Sequence, residues 1–143
     1  MQIRDLCCAV LAAAFAGAGA AVSAATDPFL DARAAFQQGD AARLDARAAE
    51  LKDHPLWPYV RHWQLRMRID VLDDATVRTF LDEHDGTLIG DRMRADWLRQ
   101  LAKRQRWQDY LAEYPKLTTE DTELGCVSLR ARIAPGGAAG RGS

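Results

Sequence analysis

Three histidines are the residues of this chain whose chemistry most readily serves catalysis or metal binding. His54, His62 and His84 do not share the i, i+4 spacing that places two imidazoles on one face of a helix. No cysteine or acidic cluster near them completes a ligand set. We therefore predict no metal and no cofactor, and we expect each imidazole to face solvent or to bond locally.

Pairs of neighbouring carboxylates are the next candidates for chemistry. General acid catalysis needs a carboxyl group whose pKa is raised by an apolar or like-charged pocket. The pairs here lie at predicted helix starts or on polar helix ends, where capping explains them. The sequence also has no Gly-rich phosphate loop and no Gly-x-Ser-x-Gly elbow, so we predict no catalytic residue. The pairs are residues 73–74, 82–83 and 120–121.

A run of basic residues between Gly90 and Trp107 leaves two interpretations open. It is either an anion-binding face or the solvated back of an amphipathic helix. The formal net charge of the chain is -1, and so weak a charge argues against nucleic acid as a partner. The basic residues are Arg92, Arg94, Arg99, Lys103, Arg104 and Arg106.

Helical periodicity runs through the chain from Pro28 onward. Gly39 and Asp40 have the residue types that end one helix and cap the next. We place Asp53 as the cap of a third helix, with Pro55 and Pro58 in its first turn. The apolar stripe expected on this helix is Leu56, Val60, Trp63 and Met67. Farther on, we expect Asp73 or Asp74 to cap a fourth helix, Gly86 and Gly90 to bracket a loop, Asp91 to begin a fifth helix and Pro115 to end a sixth. Thr118 and Asp121 have the spacing of a capping box at the start of a seventh helix.

The fold class follows from this pattern. No run alternates with the period of two that a strand requires. Short helices with tight joints predict an all-α fold of stacked helical hairpins, forming part of an α-superhelix (solenoid). Tryptophans could stack on sugars, but Trp57, Trp63, Trp97 and Trp107 each lie on or beside an apolar stripe. We therefore expect them to pack between helices.

The first residues have the features of a secretory signal. A basic start at Arg4 precedes a small-residue apolar run, and Val22-Ser23-Ala24 fits a signal-peptidase site. We predict a cleavable signal peptide over residues 1–24, export to the periplasm, and no stable membrane span after cleavage. Cys126 is then the single cysteine of the mature chain.

The segments "LKDHPLWPYVRHWQL" and "VRTFLDEHDGTLIGDRMRADWLRQLAKRQRWQDYLAEYP" resemble the N-terminal helical domain of soluble lytic murein transglycosylases. That family has a Leu-x-Asp-x-Pro-Leu-x-Pro-Tyr segment, then a Phe-Leu pair, an Arg-x-x-Trp-Leu-x-x-Leu-Ala segment and a cysteine-containing helix. The matching residues here are Leu51, Asp53, Pro55, Leu56, Pro58, Tyr59, Phe80, Leu81, Arg94, Trp97, Leu98, Leu101, Ala102, Trp107 and Cys126.

The resemblance implies a periplasmic enzyme of peptidoglycan turnover whose helical solenoid is a scaffold and whose partners are peptidoglycan glycan strands. It implies a lysozyme-like domain with a Glu-Ser motif, which this sequence lacks. We therefore expect a truncated family member: residues 27–133 form an N-terminal α-superhelical domain fragment, and residues 134–143 form a flexible Gly-rich tail. Such a fragment is expected to be inactive alone.

Two roles remain open at this point. One is the scaffold segment of a lytic transglycosylase, and the other is an independent periplasmic α-solenoid that binds protein partners. Under either role, the motif around the third helix is structural and determines how the helices pack against one another. Its residues are Pro55, Leu56, Trp57, Pro58, Tyr59, Trp97 and Trp107.

Overall fold

The computed structural model describes residues 27–135 and residue 137, and this part of the chain is helical with no strand. The all-α prediction is therefore confirmed. The predicted signal peptide lies outside the described residues. The helices are α1 (Pro28–Gln38), α2 (Ala41–Glu50), α3 (Trp57–Met67), α4 (Asp74–Glu83), α5 (Leu88–Lys103), α6 (Trp107–Glu113) and α7 (Thr122–Ile133), and a short 3-10 helix (Tyr114–Lys116) follows α6.

The turn between α1 and α2 has the predicted chemistry. Gly39 takes the left-handed conformation, with φ of 73°. The amide of the next residue, Asp40, donates to the Ala35 carbonyl at 2.9 Å. This is a Schellman ending, which favours glycine because a Cβ is strained at positive φ. The carboxylate of Asp40 then accepts from the Arg43 amide and caps α2.

Three predicted helix starts are wrong, and each for a local reason. Helix α3 begins at Trp57 without a side-chain cap, so Asp53 is not its cap, and Pro55 precedes the helix. The loop expected between Gly86 and Gly90 is the first turn of α5, because Thr87 supplies the cap by accepting from the Gly90 amide at 3.1 Å. Both predictions gave too much weight to glycine and proline. The Thr87 hydroxyl accepts from the Gly90 amide at the start of α5, and the His54 imidazole accepts from the Leu56 amide before α3.

The third error concerns α7. Asp121 is the N-cap residue and its carboxylate accepts from the Leu124 amide at 3.0 Å. Thr118 takes no part in this cap, because its own amide donates to the carboxylate of Asp91 on α5. The expected capping box is therefore absent, and a contact between distant parts of the chain takes its place.

Two hydrophobic clusters form the interior, and α3 belongs to both. Val60 packs with small residues of α1 and α2, whereas Leu65, one turn later, packs with α4, α5 and their neighbours. The first cluster is Ala32, Ala35, Leu44, Ala48, Leu51 and Val60. The second is Leu65, Ile69, Val77, Phe80, Leu81, Ile89, Met93, Trp97, Leu98, Leu101, Trp107, Tyr110, Leu124 and Ala131.

Helix contacts follow a regular order along the chain. Within the described residues, α1 packs on α2, α2 on α3, α4 on α5, α5 on α6 and α6 on α7. In addition, α1 contacts α3, α3 contacts α5, and α5 contacts α7. Repeated contact between every second helix is what stacked hairpins produce, and the superhelix itself stays a prediction.

A backbone feature between α5 and α6 yields a stability prediction. Gln105 has φ of 56°, and the Arg106 amide donates to the Leu101 carbonyl at 2.9 Å, so α5 ends in a Schellman motif without glycine. A left-handed conformation costs a residue with a Cβ about 1–2 kcal/mol. Glycine removes this cost, but it also gives the unfolded chain more conformational freedom. We therefore expect Gln105→Gly to raise the free energy of unfolding by only about 0.5–1 kcal/mol.

Urea denaturation followed by circular dichroism measures this change. Gln108→Gly is the matched control, since Gln108 is exposed within α6 and glycine there should lower the free energy of unfolding by about 1 kcal/mol. A loss of stability in Gln105→Gly would contradict the role assigned to this turn.

Candidate functional site

Most basic residues of the run between Gly90 and Trp107 bond to other segments of the chain. Arg92, Lys103 and Arg104 are exposed, as a solvated face predicts, whereas Arg94 is buried. Arg94 is 3% exposed. Its Nε donates to the Glu113 carboxylate at 2.8 Å and one terminal nitrogen to Asp85 at 3.0 Å. The other donates to the Lys116 carbonyl at 3.2 Å. This guanidinium thus holds α5 to the end of α4 and to the end of α6.

Asp91, one turn before Arg94, secures the segment that leads into α7. Its two carboxylate oxygens accept from the Thr118 amide at 2.9 Å and the Thr119 amide at 2.7 Å. Burial acts to raise the pKa of Asp91, but the hydrogen bonds from Thr118 and Thr119 outweigh it, so the pKa lies below its usual value. The carboxylate stays ionised and acts as a fixed acceptor for the loop.

Arg106 joins α4 to α6 through a bidentate pair. Its two terminal nitrogens donate to the two oxygens of Asp74, at 2.8 and 2.6 Å, and its Nε donates to Asp109. The hydrogen bond to Asp74 is the main cause that raises the pKa of Arg106, and the same bond lowers the pKa of Asp74. A planar fork on a carboxylate is a pairing that lysine does not reproduce.

The remaining basic residues of this run also bond across helices, except for Arg92, which is exposed. Arg99 donates to Asp121 at 2.6 Å and to Glu123 at 3.2 Å, and so connects α5 to α7. Lys103 donates to Asp70 at 2.9 Å. Arg104 donates to the carbonyls of residues 69 and 70, which end the α3 segment. Carboxylates pair with Arg94, Arg99, Lys103 and Arg106, so these four charges are not free to form an anion site.

His62 was expected to face solvent or to bond locally, and this expectation is wrong. It is 4% exposed, and its Nε2 lies 3.1 Å from the carboxylate of Asp96 on α5, 34 residues away. Its Nδ1 is buried without a hydrogen-bond partner among the described residues. Arg66 also reaches Asp96, at 3.5 Å. The group is a polar contact inside the α3–α5 interface.

The other two histidines make local contacts, and the His54 ring also stacks on Phe29 of α1 at 5.7 Å between centroids. His54 Nδ1 accepts from the Leu56 amide at 3.1 Å in the turn before α3. The ring of His84 meets the ring of Phe80, one helical turn earlier, edge to face at 4.4 Å between centroids. Neither imidazole approaches a second candidate ligand, and residues 27–135 with 137 contain no group of three or more side chains suited to holding a metal.

The predicted structural motif is divided between the two clusters. Trp57 packs against the α1–α2 cluster, as expected, but Tyr59 packs against the second cluster instead of the preceding hairpin. Leu56 is 38% exposed, so the packing predicted for it is not found. Pro58 occupies the first turn of α3, Pro55 is exposed before it, and Trp97 and Trp107 lie in the second cluster.

A cleft of about 470 Å³ lies between α4, α5 and α6, and charged side chains line it. Several of these side chains form ion pairs: Lys116 donates to Glu113 at 3.0 Å, and Arg78 lies 4.0 Å from Asp109. Arg94 and Asp85, which also line it, are paired as described above. Most of the charges in the walls of the cleft are therefore paired with one another.

The direction of the pKa shifts argues against acid catalysis by these carboxyl groups. A general acid at neutral pH needs a raised pKa. Hydrogen bonds and nearby guanidinium groups lower the pKa of the shifted aspartates, which are Asp31, Asp70, Asp73, Asp74, Asp91 and Asp121. Burial raises the pKa of the Tyr110 phenol to about 12, and this hydroxyl donates to the Leu124 carbonyl at 2.7 Å. The ionised aspartates accept hydrogen bonds and the Tyr110 hydroxyl donates one, so these groups join parts of the fold.

Two signals in the sequence could have identified the buried ties. Arg94 and Asp91 lie on the helical side that carries Leu98 and Leu101, at steps of three, four and three. His62 lies three residues before the buried Leu65, on the same side of α3. A charged or polar residue on a stripe of buried apolar residues requires a partner, although the sequence does not show which one.

Comparison with known proteins adds no relative to this picture, since no family model, curated protein or solved structure matches the chain. Among the described residues, none of the helices has the length and apolar content that crossing a bilayer requires.

The buried guanidinium leads to a stability prediction. We expect Arg94→Met to lower the free energy of unfolding by about 3 kcal/mol, because the largely buried Glu113 carboxylate keeps only Lys116 as a partner and the Lys116 carbonyl loses its donor. Arg92→Met is the control, since Arg92 is exposed on the same helix, and its effect should stay within about 0.5 kcal/mol. Equal effects of the two substitutions, measured by urea denaturation, would contradict the account of Arg94.

Asp91 leads to a prediction of pH dependence. Its folded-state pKa is lowered, so its contribution to stability is present above the unfolded value of about 3.9 and is lost as pH falls through the folded pKa. We expect Asp91→Asn to cost about 1–3 kcal/mol at pH 7, because an amide nitrogen then faces a backbone donor. The cost should shrink in strong acid, as the pH falls through the lowered folded-state pKa and the wild-type carboxylate is itself protonated.

Urea denaturation at neutral pH and in strong acid tests this, with Asp82→Asn as the control on an exposed residue. A cost that does not depend on pH would show that the charge of Asp91 is not what secures the loop.

Proposed function

We propose that this chain is a helical scaffold without catalytic groups of its own, the N-terminal superhelical segment of a periplasmic soluble lytic murein transglycosylase. The observation that carries the proposal is the use made of the charged and polar residues: Arg94, Asp91 and His62, which could do chemistry, are bonded to other helices and loops instead. A protein part built in this way holds shape and positions other parts.

The resemblance stated from the sequence supports this proposal through the places its residues occupy. Trp97, Leu98 and Leu101 are buried in the second cluster, and Arg94 carries the ties from α5. Motif residues that pack helices are what a scaffold requires. The contacts between every second helix support the superhelical part of the proposal in the same way.

Export to the periplasm and contact with peptidoglycan glycan strands belong to the same proposal. Export rests on the signal-peptide features of residues 1–24, and the glycan partner rests on the resemblance. The described surface offers exposed arginine and polar side chains along α1, α4 and α5, among them Arg33, Arg78 and Arg92. Such side chains suit weak contacts with a polymer that bears both hydroxyl and carboxylate groups.

Purified sacculi test the proposal. The chain should release no soluble 1,6-anhydro-muropeptides, because no carboxyl group among the described residues has a raised pKa that would suit a general acid. Part of the chain should sediment with the sacculi. Chain denatured in urea and a helical protein of similar charge serve as controls. Release of anhydro products would overturn the scaffold assignment, and an absence of binding would remove the glycan partner.

A second measurement separates this proposal from the independent solenoid. The genomic DNA beyond the codon for Ser143 should encode, in some frame, a lysozyme-like domain with a Glu-Ser motif. A gene without such a domain, together with a stable, monodisperse product that does not bind sacculi, would favour the independent α-solenoid that binds protein partners.

A further inference from the structure

Helix α7 is apolar on two faces. Its inner face buries Leu124 and Ala131 against the second cluster. On the opposite face, Leu129 is 62% exposed and Ile133 85% exposed, and Cys126 is exposed between them and the start of the helix. None of the described residues covers this outer stripe, so it costs free energy while it stays in water.

The outer stripe has the spacing of a helix-pairing seam. Thr122, Cys126, Leu129 and Ile133 follow one another at steps of four, three and four, which is the spacing of core positions in a heptad repeat. Three turns of helix present this seam, and the neighbouring positions on one flank are Glu123 and Arg130. The flank therefore carries one acid near the start of the helix and one base near its end.

We propose that the outer stripe of α7 pairs with the same stripe of a second copy of this chain, with the two helices antiparallel about a two-fold axis. In an antiparallel pair the same flank of each helix meets its equivalent. When Leu129 packs beside Cys126 of the copy, Glu123 comes opposite Arg130 of the copy, and the reverse pair forms at the other end.

Charge complementarity selects this occupant and this direction. The antiparallel arrangement makes two reciprocal Glu123–Arg130 pairs, whereas a parallel one brings the basic ends of both helices, with Arg130 and Arg132, side by side. Both side chains remain available on the surface: Glu123 is 67% exposed while it accepts from Arg99, and the exposed Arg130 rests over the Trp107 ring at 5.6 Å. The inference does not depend on the proposed function.

Analytical ultracentrifugation of the full chain, with Cys7 and Cys8 replaced by serine and Cys126 kept reduced, tests the pairing up to about 1 mM. This high concentration is needed because a single short helix pair buries less area than a standard interface. We expect a reversible monomer–dimer equilibrium. Leu129→Asp should abolish it while the helical circular dichroism spectrum and the monomer remain. In the same background, whose only thiol is Cys126, a short bis-maleimide reagent should link Cys126 of one copy to Cys126 of the other, but not when Leu129→Asp is added.

Charge reversal tests the direction. Glu123→Arg or Arg130→Glu alone should each weaken the dimer about tenfold, because both reciprocal pairs become repulsive. An equimolar mixture of the two variants should restore wild-type association, since each pair again joins opposite charges. Arg132→Glu is the matched control: it makes the same charge change on the other flank, opposite Gly125 of the copy, and should leave the dimer unchanged.

Three results would overturn the proposal. They are a chain that stays monomeric at about 1 mM, a dimer that survives Leu129→Asp, and a mixture of the two charge variants that does not recover. A monomer whose Cys126 reacts slowly with a thiol reagent would show that another part of the same chain covers the stripe, and it too would refute pairing between copies.

Discussion

A guanidinium group that is removed from water has to be fully hydrogen-bonded, and for Arg94 this requirement connects α5 to three separate pieces of the chain. Its partners are side chains at the end of α4 and on α6, and a carbonyl in the 3-10 helix. Since α5 also packs on α3 and α7, the position of this one side chain fixes much of the arrangement of the second cluster. Apolar contacts alone would permit helices to slide, whereas a directional fork defines their register.

The same logic recurs at smaller scale in the first cluster. Asp31 is buried on α1 and accepts from Arg43 and Arg47, both on α2. The apolar contacts beneath this group are made largely by alanines, such as Ala32 and Ala35. Small side chains let two helices approach closely but bury little area. A polar group above a small-residue interface thus supplies the specificity that the apolar contact lacks.

Local chemistry explains what the sequence could predict. The Gly39-Asp40 turn was predictable because the positive φ and the cap each depend on one residue and its immediate neighbours. The start of α5 was mistaken because Gly90 was weighted above Thr87, whose hydroxyl decides the cap. Periodicity alone marked the helices, and the all-α class followed from it.

Contacts between distant residues were beyond this kind of reasoning. The sequence marks Asp91 as a polar residue on a buried stripe, but the amides that it accepts from belong to a loop 27 and 28 residues later. Backbone amides carry no residue-specific signal, so no pattern names them in advance. The partner of His62, 34 residues away, was hidden for the same reason. The candidate site was therefore visible as unusual residues, whereas its geometry was not.

The division of the interior has a consequence for stability along the chain. The α1–α2 hairpin reaches the rest of the protein chiefly through α3, and its cluster contains three alanines. The second cluster holds Trp97, Trp107 and Tyr110, which bury far more area per residue. Opening the hairpin away from α3 therefore exposes less apolar surface than disrupting the second cluster, so it requires less free energy. Because Val60 and Leu65 lie on the same helix, α3 can keep its contact with α5 while the hairpin opens. We therefore expect local unfolding to begin at the α1–α2 hairpin.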